Sequence, residues 1–226
     1  MAKNTVMTTT TFKTLHQDES IIVLDKPAGL PVLPDGWEKD APYLVKTLEE
    51  EYGKIFIVHR LDKITSGVMV FARNADAHRA LNIQFENHEV QKIYRAISEG
   101  NPKWDEHTAK HPLRVNVGHK HRSMVDEKNG VNAETRFKVL KRYPDHVLLE
   151  ASPMTGRTHQ VRVHAYALGH PLLGDVLYSA SETNLIARPA LHACSLTFTH
   201  PTTNERVSFT TPYPEDFSKA LERLNV

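Results

Sequence analysis

Cysteine is almost absent. The one thiol, Cys194, has no partner for an internal disulfide, so no covalent brace is available and a reducing compartment, the cytoplasm, is expected. Its setting, Leu191-His192-Ala193-Cys194-Ser195-Leu196-Thr197-Phe198, reads as a strand. A buried, inert thiol is expected there rather than a nucleophile. Long apolar runs are missing too: none approaches the ~18 residues of a membrane span. Residues 1–11 are polar and rich in threonine, without the apolar stretch of a secretory signal. They are expected to form a flexible tail ahead of a single domain over 12–226. Net charge is nearly absent, +1 over 226 residues, so affinity for nucleic acid has to rest on local basic patches.

Several chemical motifs are missing as well. His159, His164 and His170 lack metal-ligand spacing such as H-E-x-x-H, and no cysteine pair assists them, so no metal is expected. No G-x-G-x-x-G or G-x-x-x-x-G-K-[ST] occurs, which speaks against a nucleotide cofactor. No G-x-S-x-G elbow offers a serine nucleophile. No second acid stands near Asp62 to hold a pair of metals.

What is there centres on His59-Arg60-Leu61-Asp62-Lys63-Ile64-Thr65-Ser66-Gly67. Ile55-Phe56-Ile57-Val58 leads into it and Val68-Met69-Val70-Phe71 leads out. Both runs read as core-bound strands, being rich in β-branched and aromatic residues and bounded by polar residues or glycine. Leu61 and Ile64 can anchor the turn, which sets Asp62 beside an apolar wall with Arg60 and Lys63 close by. On the pattern alone, a solvated strand connection and a reactive carboxylate on a rigid edge are both open.

Around this stretch the chain alternates strands and helices. Ile21-Ile22-Val23-Leu24 is a strand, stopped by the stiff loop that follows Asp25-Lys26-Pro27-Ala28-Gly29. Residues 40–52 carry Tyr43, Leu44, Leu48 and Tyr52 at helical spacing, with Gly53 as C-terminal cap. Asn74 caps a helix through Ala77, Leu81, Phe85 and His88. Residues 91–97, 136–142, 146–151, 191–199 and 206–211 read as strands, and a last helix starts near Glu215 with Phe217, Leu221 and Leu224 on its inner side. Thr158 suits an N-cap and Gly169 a stop, which makes most of 158–169 a helix with Arg157 just before its first turn. An anion is favoured there. Val161, Ala165 and Leu168 form one stripe, while Arg162 and Tyr166 share another face. Residues 110–122 hold four Lys or Arg and three His without an acid, and 136–142 add four more cations. A solvated hairpin and a phosphate-contacting surface are both compatible with that charge.

His59-Arg60-Leu61-Asp62 with Thr65-Ser66-Gly67, then Lys92-Ile93-Tyr94, then Gly156-Arg157-Thr158-His159-Gln160-Val161-Arg162-Val163-His164, in that order, resemble the motifs of the RluA family of RNA pseudouridine synthases. Asp25-Lys26-Pro27-Ala28-Gly29, Gly169-His170-Pro171-Leu172-Leu173-Gly174-Asp175, Leu191-His192-Ala193 and His200-Pro201 resemble its flanking segments. Many relatives carry an N-terminal RNA-binding S4 domain. Here the first strand is expected after about 20 residues, so the resemblance is to the short members.

The resemblance implies an α+β fold: a mixed, mainly antiparallel central sheet flanked by helices, the pseudouridine synthase fold. It makes 12–226 the catalytic domain. It implies that uridine in structured RNA, transfer RNA or large-subunit ribosomal RNA, is isomerised to pseudouridine without metal or cofactor. A monomer is expected separately, since no exposed heptad suggests a coiled coil. By the same resemblance Asp62 is the nucleophile, ionised with the help of a paired guanidinium assigned to Arg157. Tyr94 stacks on the uracil, its hydroxyl placed to help remove the C5 proton. Arg60 fills the gap left by a flipped-out base. Two other classes stay open on the chemistry: a hydrolase that releases uracil with the same carboxylate, and an RNA-binding module without turnover.

Overall fold

The computed structural model describes residues 12–34, 41–118 and 122–225. Among the described residues are twelve strands: β1 (Lys13–Gln17), β2 (Ile21–Lys26), β3 (Phe56–Ile57), β4 (Ser66–Ala72), β5 (Gln91–Glu99), β6 (Glu106–Ala109), β7 (Leu113–Val117), β8 (Arg122–Val125), β9 (Thr135–Arg142), β10 (His146–Pro153), β11 (Leu191–Thr199) and β12 (Arg206–Thr210). Four α-helices accompany them: α1 (Leu44–Tyr52), α2 (Ala75–Glu86), α3 (Gln160–Ala167) and α4 (Glu215–Leu224). Ten strands form one sheet in the order β1-β2-β4-β11-β5-β10-β9-β6, with β3 also on β4 and β12 also on β11. The β4–β11 pair is parallel and the other ladders of the sheet are antiparallel. The fold is therefore α+β with a mixed, mainly antiparallel sheet, as the motif resemblance implies.

Continuous apolar runs mark the strands covered on both faces. Every residue of β4 is buried. Met69 and Phe71 face α1 together with Ile22 and Leu24 of β2. Val68, Val70 and Ala72 face α2 with Ile21 and Val23. The two-residue period of a strand thus sorts one apolar run into two cores. Beyond β11, α3 packs Val161 and Ala165 on Phe137, Leu149 and Ala151, and α4 lays Phe217 and Ala220 near Ile97 and Leu148.

Local caps lie where the sequence places them. Asn74 Oδ1 accepts the Ala77 N–H at 2.9 Å at the start of α2. Gly53, at φ 75°, follows α1 and donates its N–H to Glu49 O. The expected helix over 40–52 begins at Leu44, and residue 40 lies outside the described residues, as does the tail expected over 1–11. The strand expected over 55–58 shortens to Phe56–Ile57.

Two strands have no forerunner in the sequence reading, β1 and the short β6 beside β9. The polar segment Lys13–Gln17 pairs with β2 at the sheet edge. A clasp holds it there: Asp18 Oδ2 accepts from His16 Nε2 at 2.9 Å and from His200 Nε2 at 2.8 Å. These three have the donor types of a metal site. His200 Nδ1, however, accepts the Thr202 and Thr203 N–H groups, so Nε2 carries the proton and is committed to Asp18.

The ladder between β4 and β11 is short, pairing Ser66 with His192 and Gly67 with Ala193. The approach is close: a Cβ on Gly67, whose φ is 125°, would stand 2.2 Å from Ala193 O. This pinch holds the loop before β4 against the start of β11, at the middle of the sheet.

Candidate active site

The loop from His59 to Thr65 is fixed from beneath through its backbone. Thr65 N–H donates to Asp62 O at 3.0 Å, closing a turn. Lys63 O accepts from Gly29 N–H at 2.8 Å and from Lys26 Nζ at 3.1 Å. Ile64 O accepts from Arg188 Nη1 at 3.3 Å. Arg188 in turn forms a two-bonded pair with Asp216 of α4, at 2.7 and 2.9 Å. Leu61 is buried in the α1 core. His59 stacks on Phe85 with ring centres 4.8 Å apart, and its Nε2 accepts the Val70 N–H. Burial, with Lys92 adding to it, lowers the pKa of His59 from its usual 6.5 to about 3, so the ring stays neutral. Lys26 is fully buried, and its ammonium also donates to Pro27 O and Leu30 O. Sequence reasoning gave Lys26 and Arg188 no role. Their signal was a lone cation beside a strand and one in a proline-flanked loop, and only the fold shows that both serve the turn of Asp62.

Asp62 points into a cleft of about 580 Å³, a volume in the range of small-ligand pockets. Its lining includes Arg60, Lys92, Tyr94, Arg157, His159 and Arg162. All four residues expected at the site, Arg60, Asp62, Tyr94 and Arg157, thus border one cavity. The pairing expected between Asp62 and Arg157 is not found. The guanidinium against Asp62 belongs to Arg162, with Nη1 3.5 Å from Oδ2, whereas Arg157 is exposed and turns its Nε to Asn132 O at 3.3 Å. The cause is local. Thr158 is not the N-cap; His159 precedes the helix in a left-handed conformation, φ 56°, and α3 starts at Gln160. Residue 162 therefore lies in the first turn over Asp62, and residue 157 stays in the loop. Gln160 fixes that loop: its Oε1 accepts from Arg157 N–H and Thr155 Oγ1, and its Nε2 donates to Glu134 O. Arg162 is itself oriented by Asp175 at 2.6 and 2.8 Å and lies over the Tyr178 ring. An arginine between Val161 and Val163 on a core-facing helix was the available signal for it.

Tyr94 reaches the cleft from β5. Burial first, and the negative charge of Asp62 next, raise its pKa well above 10. The phenol is therefore held protonated, which suits a stacking ring and a hydrogen-bond donor better than a base. Lys92, two residues earlier on the same side of the strand, donates to Thr155 O at 2.9 Å. Burial lowers its pKa from 10.5 to about 8.

The two basic stretches look different in space. Residues 110–122 span β7, its turn and the start of β8, an antiparallel hairpin whose residues 119–121 lie outside the described residues. Lys110 faces Glu134 at 3.4 Å and Arg114 faces Asp126 at 3.4 Å. Along β9, Lys138 pairs with Glu106 at 2.9 Å and Arg142 with Asp105 at 2.7 Å, both across strands, and Arg136 stands 3.6 Å from Glu134. Much of the local excess is cancelled by acids that lie outside the two stretches. Arg60 and Arg157, at the cleft, form no ion pair among the described residues.

A mixed sheet pinched at its centre, with a carboxylate, a guanidinium, an imidazole and a phenol facing one cavity, defines an enzyme domain. The family model described as RNA pseudouridylate synthase matches residues 20–167. The dual-specificity RNA pseudouridine synthase RluA of Pasteurella multocida is 36% identical over 200 residues, covering 88% of this chain and 91% of that protein. Its Escherichia coli namesake is 37% identical with the same coverage. The ribosomal large subunit pseudouridine synthase D of Zymomonas mobilis is 34% identical over 229 residues, covering 94% of this chain and 72% of that protein. Among solved structures, human RNA pseudouridylate synthase domain containing 4 superposes with a TM-score of 0.76 at 27% identity, covering 94% of this chain and 93% of the other. The chain belongs to the RNA pseudouridylate synthase family. It is an RNA pseudouridine synthase, an isomerase acting on uridine in RNA, and neither the hydrolase nor the turnover-free reading is favoured.

Proposed function

We propose that Asp62 is the carboxylate that opens the reaction and that Arg60, Tyr94 and Arg157 engage the RNA around it. The observation that carries this reading is the placement of Asp62: its backbone turn is held at three successive carbonyls while its side chain faces the cleft beside Arg162. The guanidinium faces the carboxylate, which is placed to act as a nucleophile. The target uridine is flipped into the cleft, at a cost of a few kcal/mol. The C1′–N1 bond breaks, the uracil turns, C5 bonds to C1′, and the C5 proton leaves as N1 gains one, so mass is unchanged. Tyr94 holds the ring by stacking. Arg60, exposed at the rim and two residues before Asp62, takes the vacated place in the RNA stack. Arg157 meets a phosphate.

The substrates inferred from the relatives are large-subunit ribosomal RNA and, as the dual-specificity names suggest, a second RNA, for which transfer RNA is the candidate. We read residues 12–226 as one catalytic domain that works as a monomer in the cytoplasm. No helix among the described residues is long and apolar enough to cross a membrane.

The test is conversion of transcribed RNA carrying tritium at C5 of uridine. Tritium release with unchanged RNA mass is expected, and Asp62→Asn should abolish release while RNA still binds. Free uracil with an abasic site would replace this reading by hydrolysis. Pseudouridine mapping across total RNA, with and without the gene, identifies the target.

A further inference from the structure

His159 lines the cleft beside Asp62 and has no part in the steps above. Its backbone is left-handed, φ 56° and ψ 17°, a conformation uncommon for a non-glycine residue. The surroundings are specific: Ser123 Oγ donates to Thr158 O at 2.7 Å, and Tyr178 Oη lies 2.9 Å from His159 Nδ1. Tyr178 Oη also lies 3.0 Å from Ser123 N and 3.1 Å from Ser123 O.

These contacts settle the tautomer. Ser123 N–H can only donate, Ser123 O can only accept, and Tyr178 has one proton. All three contacts of the hydroxyl are satisfied together in one way: Ser123 N–H donates to Oη, Oη–H donates to Ser123 O, and His159 Nδ1–H donates to Oη. Nε2 is then left with its lone pair. It stands 3.8 Å from Asp62 Oδ2, too far for a hydrogen bond. Burial keeps the ring below the ordinary histidine pKa, against the pull of Asp62, so the imidazole is neutral. Two acceptors, a carboxylate oxygen and an imidazole nitrogen, therefore stand side by side in the cleft, and a donor from the substrate fits between them.

A uridine within an RNA chain has two donors, N3–H and the 2′-hydroxyl. A carboxylate working at C1′ is near the 2′-hydroxyl, which sits on the adjacent carbon, whereas N3 lies across the base ring. We infer that His159 Nε2 accepts a hydrogen bond from the 2′-hydroxyl of the target ribose, so that His159 selects ribose over deoxyribose at the nucleotide to be modified. The inference rests on the reading of Asp62 as the group that meets the glycosidic centre.

The test uses the full chain and a stem–loop RNA that the wild-type enzyme converts. The RNA is synthesised with either uridine or 2′-deoxy-2′-fluorouridine at the target; fluorine keeps a substituent in place but cannot donate. The ratio of single-turnover kcat/KM for the two RNAs is measured for wild type and for His159→Asn, because asparagine tolerates the left-handed backbone. Fluorine's intrinsic effect on the glycosidic bond is common to both enzymes and cancels between them. The wild-type ratio is expected to exceed the variant's by about tenfold. Equal ratios would overturn the inference. If His159→Asn converts neither RNA, Tyr178→Phe decides, since it frees the ring: a reduced ratio supports the role, and an unchanged ratio removes it. Wild-type enzyme that converts no uridine RNA would overturn the proposed function instead.

Discussion

Arg162 is held by Asp175 through two parallel hydrogen bonds, 2.6 and 2.8 Å, and only its remaining nitrogen, at 3.5 Å, faces Asp62. Side-chain exposures of 3% and 1% make the Arg162–Asp175 pair a buried one. Removing one partner of such a pair costs about 3–5 kcal/mol. Asp175→Ala should lose stability of that order in urea unfolding. Asp175→Asn, which keeps the shape, should lose less stability but still lower kcat, because Arg162 is no longer aimed at Asp62. Arg162→Lys should fail to restore activity, since an ammonium cannot satisfy Asp175 as a fork and still reach the cleft.

Gly67 has no room for a side chain. A Cβ would meet Ala193 O at 2.2 Å, and that oxygen is backbone in the neighbouring strand. Gly67→Ala must therefore separate β4 from β11 at their short parallel ladder, and a φ of 125° adds backbone strain. A destabilisation of about 3 kcal/mol or more is expected from urea unfolding, with loss of conversion. Gly118→Ala, where nothing stands within 4 Å of the added atom, serves as the comparison and should show only the smaller cost of its φ of 67°.

How far the sequence carries is visible in these same parts. The runs of β2 and β4, the Asn74 cap and the Gly53 stop are local patterns, and local physics decides them. The nonapeptide around Asp62 was legible as motif and as cleft. The partner of its carboxylate was not, because the choice between Arg157 and Arg162 depends on where α3 begins. The left-handed His159, tied to Tyr178 and preceded by a Thr158 carbonyl that Ser123 holds, sets that start. β1 escaped notice for a similar reason: its residues are polar, and the clasp from Asp18 to His200 spans 182 positions. The basic stretches misled because the fold sets acids from outside them against their cations, Glu106 across the sheet from Lys138 and Glu134 beside both Lys110 and Arg136.

Lys92 gives a pH dependence with a definite sign. The unfolded chain keeps this proton up to about 10.5, whereas the buried ammonium gives it up near 8. The unfolded state thus binds more protons between those values, and stability should rise with pH across that window. It is lost again as pH falls through about 8. Lys26, lowered to about 7 by burial, acts with the same sign over a wider range. Lys92→Met should therefore reduce the slope of stability against pH rather than abolish it. RNA affinity should move the other way, weakening as pH passes 8 and the ammonium bordering the cleft loses its charge. Titrations of Asp62→Asn with RNA between pH 7 and pH 9, with and without Lys92→Met, measure this second trend; a flat profile with Lys92 present would remove the lysine from RNA contact.

Salt dependence separates cations that meet RNA from cations already paired within the protein. Each phosphate contact contributes about 0.7–0.9 to the slope of log K against log salt. Arg157 forms no ion pair among the described residues and borders the cleft, so Arg157→Gln should weaken RNA binding and reduce the slope by about one contact. Lys138 is held by Glu106 at 2.9 Å, and recruiting it to RNA would first require breaking that pair. Lys138→Gln should leave the slope unchanged, although the two substitutions remove the same charge. Binding measured from 50 to 200 mM salt for both variants, in the Asp62→Asn background to prevent turnover, distinguishes a cleft-centred RNA contact from one spread along β9. A slope reduced by Lys138→Gln and not by Arg157→Gln would move the phosphate track to the sheet face and away from the residues that border Asp62.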